Sequence, residues 1–253
     1  MLIVIAPNTF RDCLEASEVA VAIQKGLQRY LPSAEYVVMP LSDGGDGVLE
    51  VFKTFSFEEC QVDVINALGN SISAKFLISQ DRQTAIVEMA EASGLKRITL
   101  KERNPWVSST YGTGEILVAA LESGVKEIII GAGGSATIDG GAGALCALGA
   151  RFLDEQQQSF IPTPKNLLSL KSVDLSGLHP RLSQVKLTVI SDVDTPLSQN
   201  LRVFGEQKGV LPELIPKYEK ALKKLNQFVV NQEVDFLEEP WLGAGGGTSG
   251  GMV

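Results

Sequence analysis

The chain has 253 residues, 44% of them hydrophobic and 21% charged, with a formal net charge of −8. That composition can bury a real core, and it argues against long disorder and against the basic clustering of a nucleic-acid binder. At roughly 150 residues per domain the length suggests two domains. Three scattered cysteines (Cys13, Cys60, Cys146) and the single histidine, His179, form no zinc-binding pattern. They read as reduced, at least partly buried thiols in a cytoplasmic protein. No apolar run approaches the length of a membrane span, and Met1–Ala6 lacks the flanks of a secretion signal.

Residues 2–6 form a β-branched run ending at Ala6-Pro7, which predicts a buried strand and a turn. Ser17 offers an N-cap, and Val19, Ala22, Ile23, Gly26 and Leu27 then recur at helical spacing. A strand near 35–40 leads into Leu41-Ser42-Asp43-Gly44-Gly45-Asp46-Gly47, after which Val48, Val51 and Phe52 resume helical spacing. This βαβα order predicts a parallel sheet. Residues 73–78 and 84–89 read as neighbouring strands across the polar turn Gln80-Asp81-Arg82-Gln83. A domain boundary is expected near residue 70.

Ser109-Thr110-Tyr111-Gly112-Thr113-Gly114-Glu115 opens a helix over 116–123, and Glu127-Ile128-Ile129-Ile130 is a buried strand. The loop Gly131-Ala132-Gly133-Gly134-Ser135-Ala136-Thr137-Ile138-Asp139-Gly140-Gly141 follows, then a small-residue helix at 142–149. A strand at 185–190 ends in Ser191-Asp192-Val193-Asp194-Thr195-Pro196, and 213–231 reads as an amphipathic helix. The glycine-rich run 243–251 has the composition of a loop that opens a helix.

Glycine lets backbone N–H groups turn toward an anion, and a helix N-terminus adds partial positive charge. Three such loops, two of them carrying carboxylates, favour a phosphate-type ligand over simple turns. No Gly-Lys-Ser/Thr follows 131–141, so it is not a Walker loop. It does satisfy Gly131-x-Gly133-x-x-Ala136, with Asp154 18 residues beyond Ala136, the spacing of a dinucleotide fingerprint. Against that reading, Asp139 would repel a pyrophosphate; Ser135, Thr137 and Asp139 suit a Mg²⁺-bound phosphate better. Asp43 and Asp46 flank a glycine pair, and Asp192 and Asp194 end a buried strand where α/β proteins place ligands. Arg11 and Lys208 are candidate anion clamps.

Taken in order, these motifs resemble the bacterial glycerate kinase family. The likeness runs through Ile3–Phe10, Pro40–Gly47, Glu88-Met89-Ala90 with Ala92–Leu95, Tyr111–Glu115 and Gly133–Gly141. It continues in Asp192-Val193 with Pro196-Leu197, then Val203-Phe204-Gly205 with Gln207-Lys208-Gly209. The resemblance implies an α/β protein of two domains with a cleft between them. A discontinuous Rossmann-like domain would hold 1–70 with 243–253 as the start of its return segment, and 71–242 would be a larger inserted α/β domain. It implies ATP with Mg²⁺ and D-glycerate as a small-molecule substrate, with 2-phosphoglycerate as product, no nucleic-acid or membrane partner, and a homodimer left open.

The roles carried over are Asp43 or Asp192 as hydroxyl-orienting base or metal ligand, and Asp139 with Asp192 for the metal. Arg11 and Lys208 would neutralise charge. Asn8, Gly44, Gly45, Gly112, Thr113, Gly133, Gly134, Ser135 and Thr137 would cradle substrate or phosphate. Asn8, Arg11, Ile138 and Thr195 depart from the family pattern, Arg11 replacing a lysine for which it is no equivalent. The family continues past 243–251, so the chain reads as cut short there. These departures keep a ligand-binding relative without turnover in view, and the 131–136 spacing keeps an NAD(P)-dependent oxidoreductase.

Overall fold

The computed structural model describes residues 1–10, 13–228 and 236–251. Strand β1 (Leu2–Ile5), helix α1 (Ala16–Gln28), strand β2 (Glu35–Val38) and helix α2 (Val48–Lys53) come first. Next are β3 (Glu58–Ile65), β4 (Ser71–Ile78), β5 (Thr84–Glu88), the short α3 (Ala90–Ser93), α4 (Tyr111–Glu122) and β6 (Glu127–Gly131). The remainder is α5 (Ala142–Ala147), β7 (Arg151–Leu153), β8 (Ser159–Phe160), α6 (Pro164–Leu167), β9 (Ser172–Asp174), β10 (Lys186–Ile190), α7 (Leu197–Lys208) and α8 (Ile215–Asn226). The glycine-rich run over Ala244–Gly251 is helical only in part, because Gly245, Gly246 and Gly247 all have positive φ.

β1 and β2 pair in parallel as a two-stranded sheet. The main sheet has the order β10-β6-β5-β4-β3, in which β10, β6 and β5 run parallel and β4 and β3 antiparallel. β7 is the middle strand of a small antiparallel sheet with β8 and β9. The expected parallel α/β core is present, but β3 and the small sheet were not anticipated. β3 pairs with β4 through the turn that contains residue 70.

Helix α4 lays Ile116, Leu117, Ala120 and Leu121 on one face of the main sheet, against Val64, Phe76, Val87, Ile128 and Ile130. On the other face, Val48 and Leu49 of α2 cover Leu77 and Ile86. Both faces of the central strands are therefore buried, and β5 and β6 show unbroken apolar runs instead of alternation. A second core gathers Leu197, Leu201, Tyr218, Leu222 and Phe236 against Phe152 and Leu167.

Local chemistry shifts several boundaries. The N-cap of α1 is Glu15, two residues before the expected Ser17, because the Glu18 carboxylate accepts the Glu15 N–H at 3.0 Å in a capping box. The expected 213–231 helix opens as a 3₁₀ turn and becomes α-helical at Ile215; its last three residues lie outside the described residues. Cys13 is exposed, contrary to expectation, while Cys60 and Cys146 are partly buried. Among the described residues no helix is long and apolar enough to cross a membrane.

Candidate active site

All five parallel strands point their C-terminal ends into one cleft of about 590 Å³. Asn8 and Thr9 follow β1; Asp43, Gly45 and Asp46 follow β2; Lys96 follows β5; Ala132–Ser135 follow β6; Asp192 and Val193 follow β10. Lys208 closes one side from the end of α7, and Ala244 and Gly245 another. Strand ends are where open α/β sheets leave backbone groups free to meet a ligand.

The loops are stacked backbone on backbone. The Gly133 N–H donates to the Gly44 carbonyl at 2.9 Å, and Ala132 N–H to the Ile190 carbonyl at 3.2 Å. Gly44 and Gly134 adopt φ of 92° and 69°, a region open to glycine at little steric cost. The Leu95 N–H reaches the Gly134 carbonyl at 2.9 Å, and the Ala136 N–H the Ser93 carbonyl at 2.8 Å. The 131–136 loop is thereby held from two directions.

Asp43 accepts the Asn8 side-chain amide at 2.7 Å and the Gly45 N–H at 2.9 Å, which fixes its carboxylate at the cleft rim. The Asp46 Oδ1 is buried without a hydrogen-bond partner, with Lys96 Nζ at 3.7 Å. Lys208, 3% exposed, donates to Ser135 Oγ at 2.7 Å and to the Thr137 carbonyl at 2.8 Å. Burial pulls its ammonium down to a pKa of about 7, with only Asp139 opposing.

Lys96, unremarked in the sequence, faces the opposite environment. Its ammonium lies 2.8 Å from Glu88, 3.5 Å from Glu91 and 3.7 Å from Asp46. Burial works against its charge, but the carboxylates of Glu88, Asp46 and Glu91 outweigh it and raise the pKa. Glu88 also accepts the Leu49 N–H at 3.2 Å near the start of α2, and Arg97 pairs with Glu91. No motif marks Lys96; only the fold brings it to the three acids.

The structure thus brings Asn8, Asp43, Gly45, Gly133, Gly134, Ser135, Asp192 and Lys208 together, with Gly44 packed beneath. Arg11 lies outside the described residues. Thr137 stands behind the loop, fully buried, its hydroxyl without a partner. Gly112 and Thr113 are in the first turn of α4, where Thr113 donates to Ser93 Oγ at 2.7 Å and away from the cleft lining.

Asp139 is also behind the cleft. Its carboxylate accepts Thr110 N–H at 2.8 Å, Thr110 Oγ1–H at 2.9 Å, Gly143 N–H at 3.2 Å and Gly141 N–H at 3.3 Å. Burial raises its pKa while those four donors act to lower it. It anchors α4 to α5 and does not line the cleft. Asp154 caps the β7–β8 turn by accepting the N–H groups of Gln156 and Gln158, both at 2.9 Å, so it is not placed as a ribose-binding acid.

The site is thus a strand-end α/β cleft of stacked glycine loops, lined by the carboxylates of Glu15, Glu18, Asp43, Asp46 and Asp192 and by Lys96 and Lys208. The model of the glycerate kinase family matches residues 3–253, and the chain belongs to that family. A glycerate 2-kinase of Escherichia coli strain K12 is 40% identical over 258 residues, spanning 100% of this chain and 68% of its own. A glycerate kinase of Halalkalibacterium halodurans is 39% identical over 257 residues, spanning 99% of this chain and 67% of its own. A crystal structure from Salmonella typhimurium LT2, provisionally assigned as glycerate kinase 2, matches with a TM-score of 0.86 and 40% identity. It covers 100% of this chain and 69% of that one. The chain therefore spans about two thirds of the length of these relatives.

Proposed function

We propose that this chain is a glycerate kinase that transfers the γ-phosphoryl group of ATP to a hydroxyl of D-glycerate, giving 2-phosphoglycerate in the cytoplasm. Besides family membership, one observation carries the reading: every parallel strand ends at the same cleft, which is lined by glycine amides, carboxylates and two lysines. Phosphoryl transfer asks for positioning and charge neutralisation more than for covalent chemistry; the glycine amides and Lys96 would meet the phosphate, and the cleft carboxylates would hold a cation that offsets its charge.

Asp43, held by Asn8 and Gly45, is assigned to orient the substrate hydroxyl. Lys96 and the amides of the 133–135 loop take the phosphate charge. The donor set suits Mg²⁺, which is held by one or two carboxylates with water and phosphate oxygens. Asp46, with its buried unpartnered oxygen, and Asp192 are the residues assigned to it; Asp139, surrounded by donors, is not. When bound, the ion would offset phosphate charge.

The test is a coupled ADP-release assay with D-glycerate, ATP and Mg²⁺. Turnover dependent on D-glycerate supports the kinase reading. Binding of ATP or glycerate without turnover points to the ligand-binding relative, and binding of NAD(P) instead would revive the oxidoreductase.

A further inference from the structure

We propose that Ser135 and Lys208 form a proton relay, in which Ser135 takes the proton of the acceptor hydroxyl and passes its own to the Lys208 amine. The inference rests on the kinase reading and adds the fate of the proton that phosphorylation of an alcohol releases.

The geometry comes first. Ser135 lines the cleft although only 6% exposed, and Lys208 Nζ lies directly against it at 2.7 Å. The remaining hydrogen bond of Lys208 is to the Thr137 carbonyl, so both partners are neutral dipoles. A neutral amine can engage both partners: its lone pair accepts the Ser135 hydroxyl and one N–H donates to the Thr137 carbonyl. No carboxylate is hydrogen-bonded to Lys208 among the described residues. Contrast Lys96, whose three acids hold it as a fixed cation. The Ser135 backbone is pinned by its bridge to Gly94, which keeps the hydroxyl in place.

Several charges face the pair. Asp139 from behind favours the ammonium, as does the C-terminal end of α7, where Lys208 is the last residue. Asp192 lines the same cleft with negative sign and Lys96 with positive. Arg103, bonded to the Gln207 carbonyl at 2.8 Å, adds positive charge beside Lys208, and Glu206 lies two residues back on α7. Burial outweighs the favourable members of this set and leaves the amine poised near neutrality, where an acceptor works best.

In the step itself, the acceptor oxygen forms its bond to the γ-phosphorus while the bond from that phosphorus to the β–γ bridging oxygen breaks. ADP leaves with that electron pair. The acceptor's proton passes to Ser135 Oγ, the Ser135 proton passes to Lys208 Nζ, and the resulting ammonium later yields its proton to water. Ser135 is the catalytic group, and Lys208 acts through it.

The experiment compares wild type, Ser135→Ala and Lys208→Arg by ADP release with D-glycerate, ATP and Mg²⁺ over about pH 6 to 9, with melting curves to verify folding. The relay predicts a kcat roughly 10²–10³-fold lower in S135A, with KM for glycerate changed less than about threefold. K208R, which holds a permanent charge and cannot accept a proton, should fall as far. Wild-type kcat should decline below about pH 7, and the NMR signal of the Lys208 side chain in the substrate-bound enzyme should titrate with it. Should K208R keep activity within about tenfold of wild type, or Lys208 stay charged up to about pH 9 with substrates bound, the relay is overturned and Lys208 is a fixed charge. If K208R does not fold, the wild-type titration decides alone. A wild type that releases no ADP with D-glycerate, L-glycerate or glycolate overturns the kinase reading and the relay with it. An active wild type beside an active K208R overturns only the relay.

Discussion

The two walls of the cleft each present a lysine, and they treat it in opposite ways. On the α7 wall, Lys208 is buried between a hydroxyl and a carbonyl, so nothing in hydrogen-bond contact compensates its charge. On the β5 wall, Lys96 is ringed by Glu88, Glu91 and Asp46, two of which are themselves buried. Burial lowers the pKa of one lysine, whereas three neighbouring carboxylates raise that of the other. Composition cannot distinguish these outcomes; the partners and the burial do.

The carboxylates between the walls should give the largest effect. Asp192→Ala and Asp43→Ala are each expected to lower kcat by about 10³-fold or more, a barrier increase of about 4 kcal/mol, while the melting temperature stays near wild type. Steady-state kinetics with a melting curve would check this, and full activity would break the proposed division of labour across the cleft.

Removing the fixed cation comes next. Lys96→Met leaves Glu88 buried without its ammonium partner, and breaking a buried pair costs about 3–5 kcal/mol. The lysine side chain is 41% exposed, so water supplies part of the compensation, and a loss of about 2 kcal/mol is expected. Urea unfolding would measure it. In kinetics the same variant should raise KM for ATP, reflecting a lost phosphate contact.

A finer test contrasts the pH dependence of stability. Lys208 has a depressed folded pKa, so the folded state holds fewer protons than the unfolded chain between about pH 7 and about 10.4. Its penalty is fully present below that window and fades as pH rises, so wild type should gain on Lys208→Met with increasing pH. Lys96 has a raised folded pKa, and its contribution is complete below the unfolded value of about 10.4 and lost above it. Unfolding free energies of the two Met variants against pH should therefore diverge from wild type in opposite senses, by at most about 1.4 kcal/mol per pH unit.

The smallest effect belongs to a lysine outside the cleft lining. Lys53 pairs with Glu59 at 2.6 Å and Glu50 at 2.9 Å on a largely wet surface. Lys53→Ala should cost less than about 1 kcal/mol and leave turnover unchanged. A large kinetic effect there would undo the claim that the cleft lysines are special.

How much of this was readable in advance follows the same division between local and tertiary information. Strands such as Glu127–Gly131 and loops such as Asp43–Gly47 carry their signal within a few adjacent residues, so they were legible. β3 was missed although Cys60, Val62 and Val64 alternate with Gln61 and Asp63, because the acidic residues Glu58, Glu59 and Asp63 dilute the pattern. Lys96 could not be found, since Leu95–Arg97 is an unremarkable 3₁₀ turn until the fold delivers Glu88 and Asp46 to it. Asp139 was misleading for the converse reason: residue type and glycine neighbours suggest a metal ligand, whereas its four donors arrive from Thr110, Gly141 and Gly143.

The stacking of the strand-end loops has a further consequence. A Cβ added at Gly133 would overlap Gly45, one at Gly44 would overlap the Ile190 carbonyl, and one at Gly131 would come within 2.9 Å of the Gly44 carbonyl. Three segments from three strands thus rest on one another with no side chains between them to act as cushions. A side chain at any one of these three glycines must therefore displace a neighbouring strand-end loop that also carries cleft-lining residues. A methyl group at Gly44, Gly131 or Gly133 would force a neighbouring loop to move, and two such changes would not add independently.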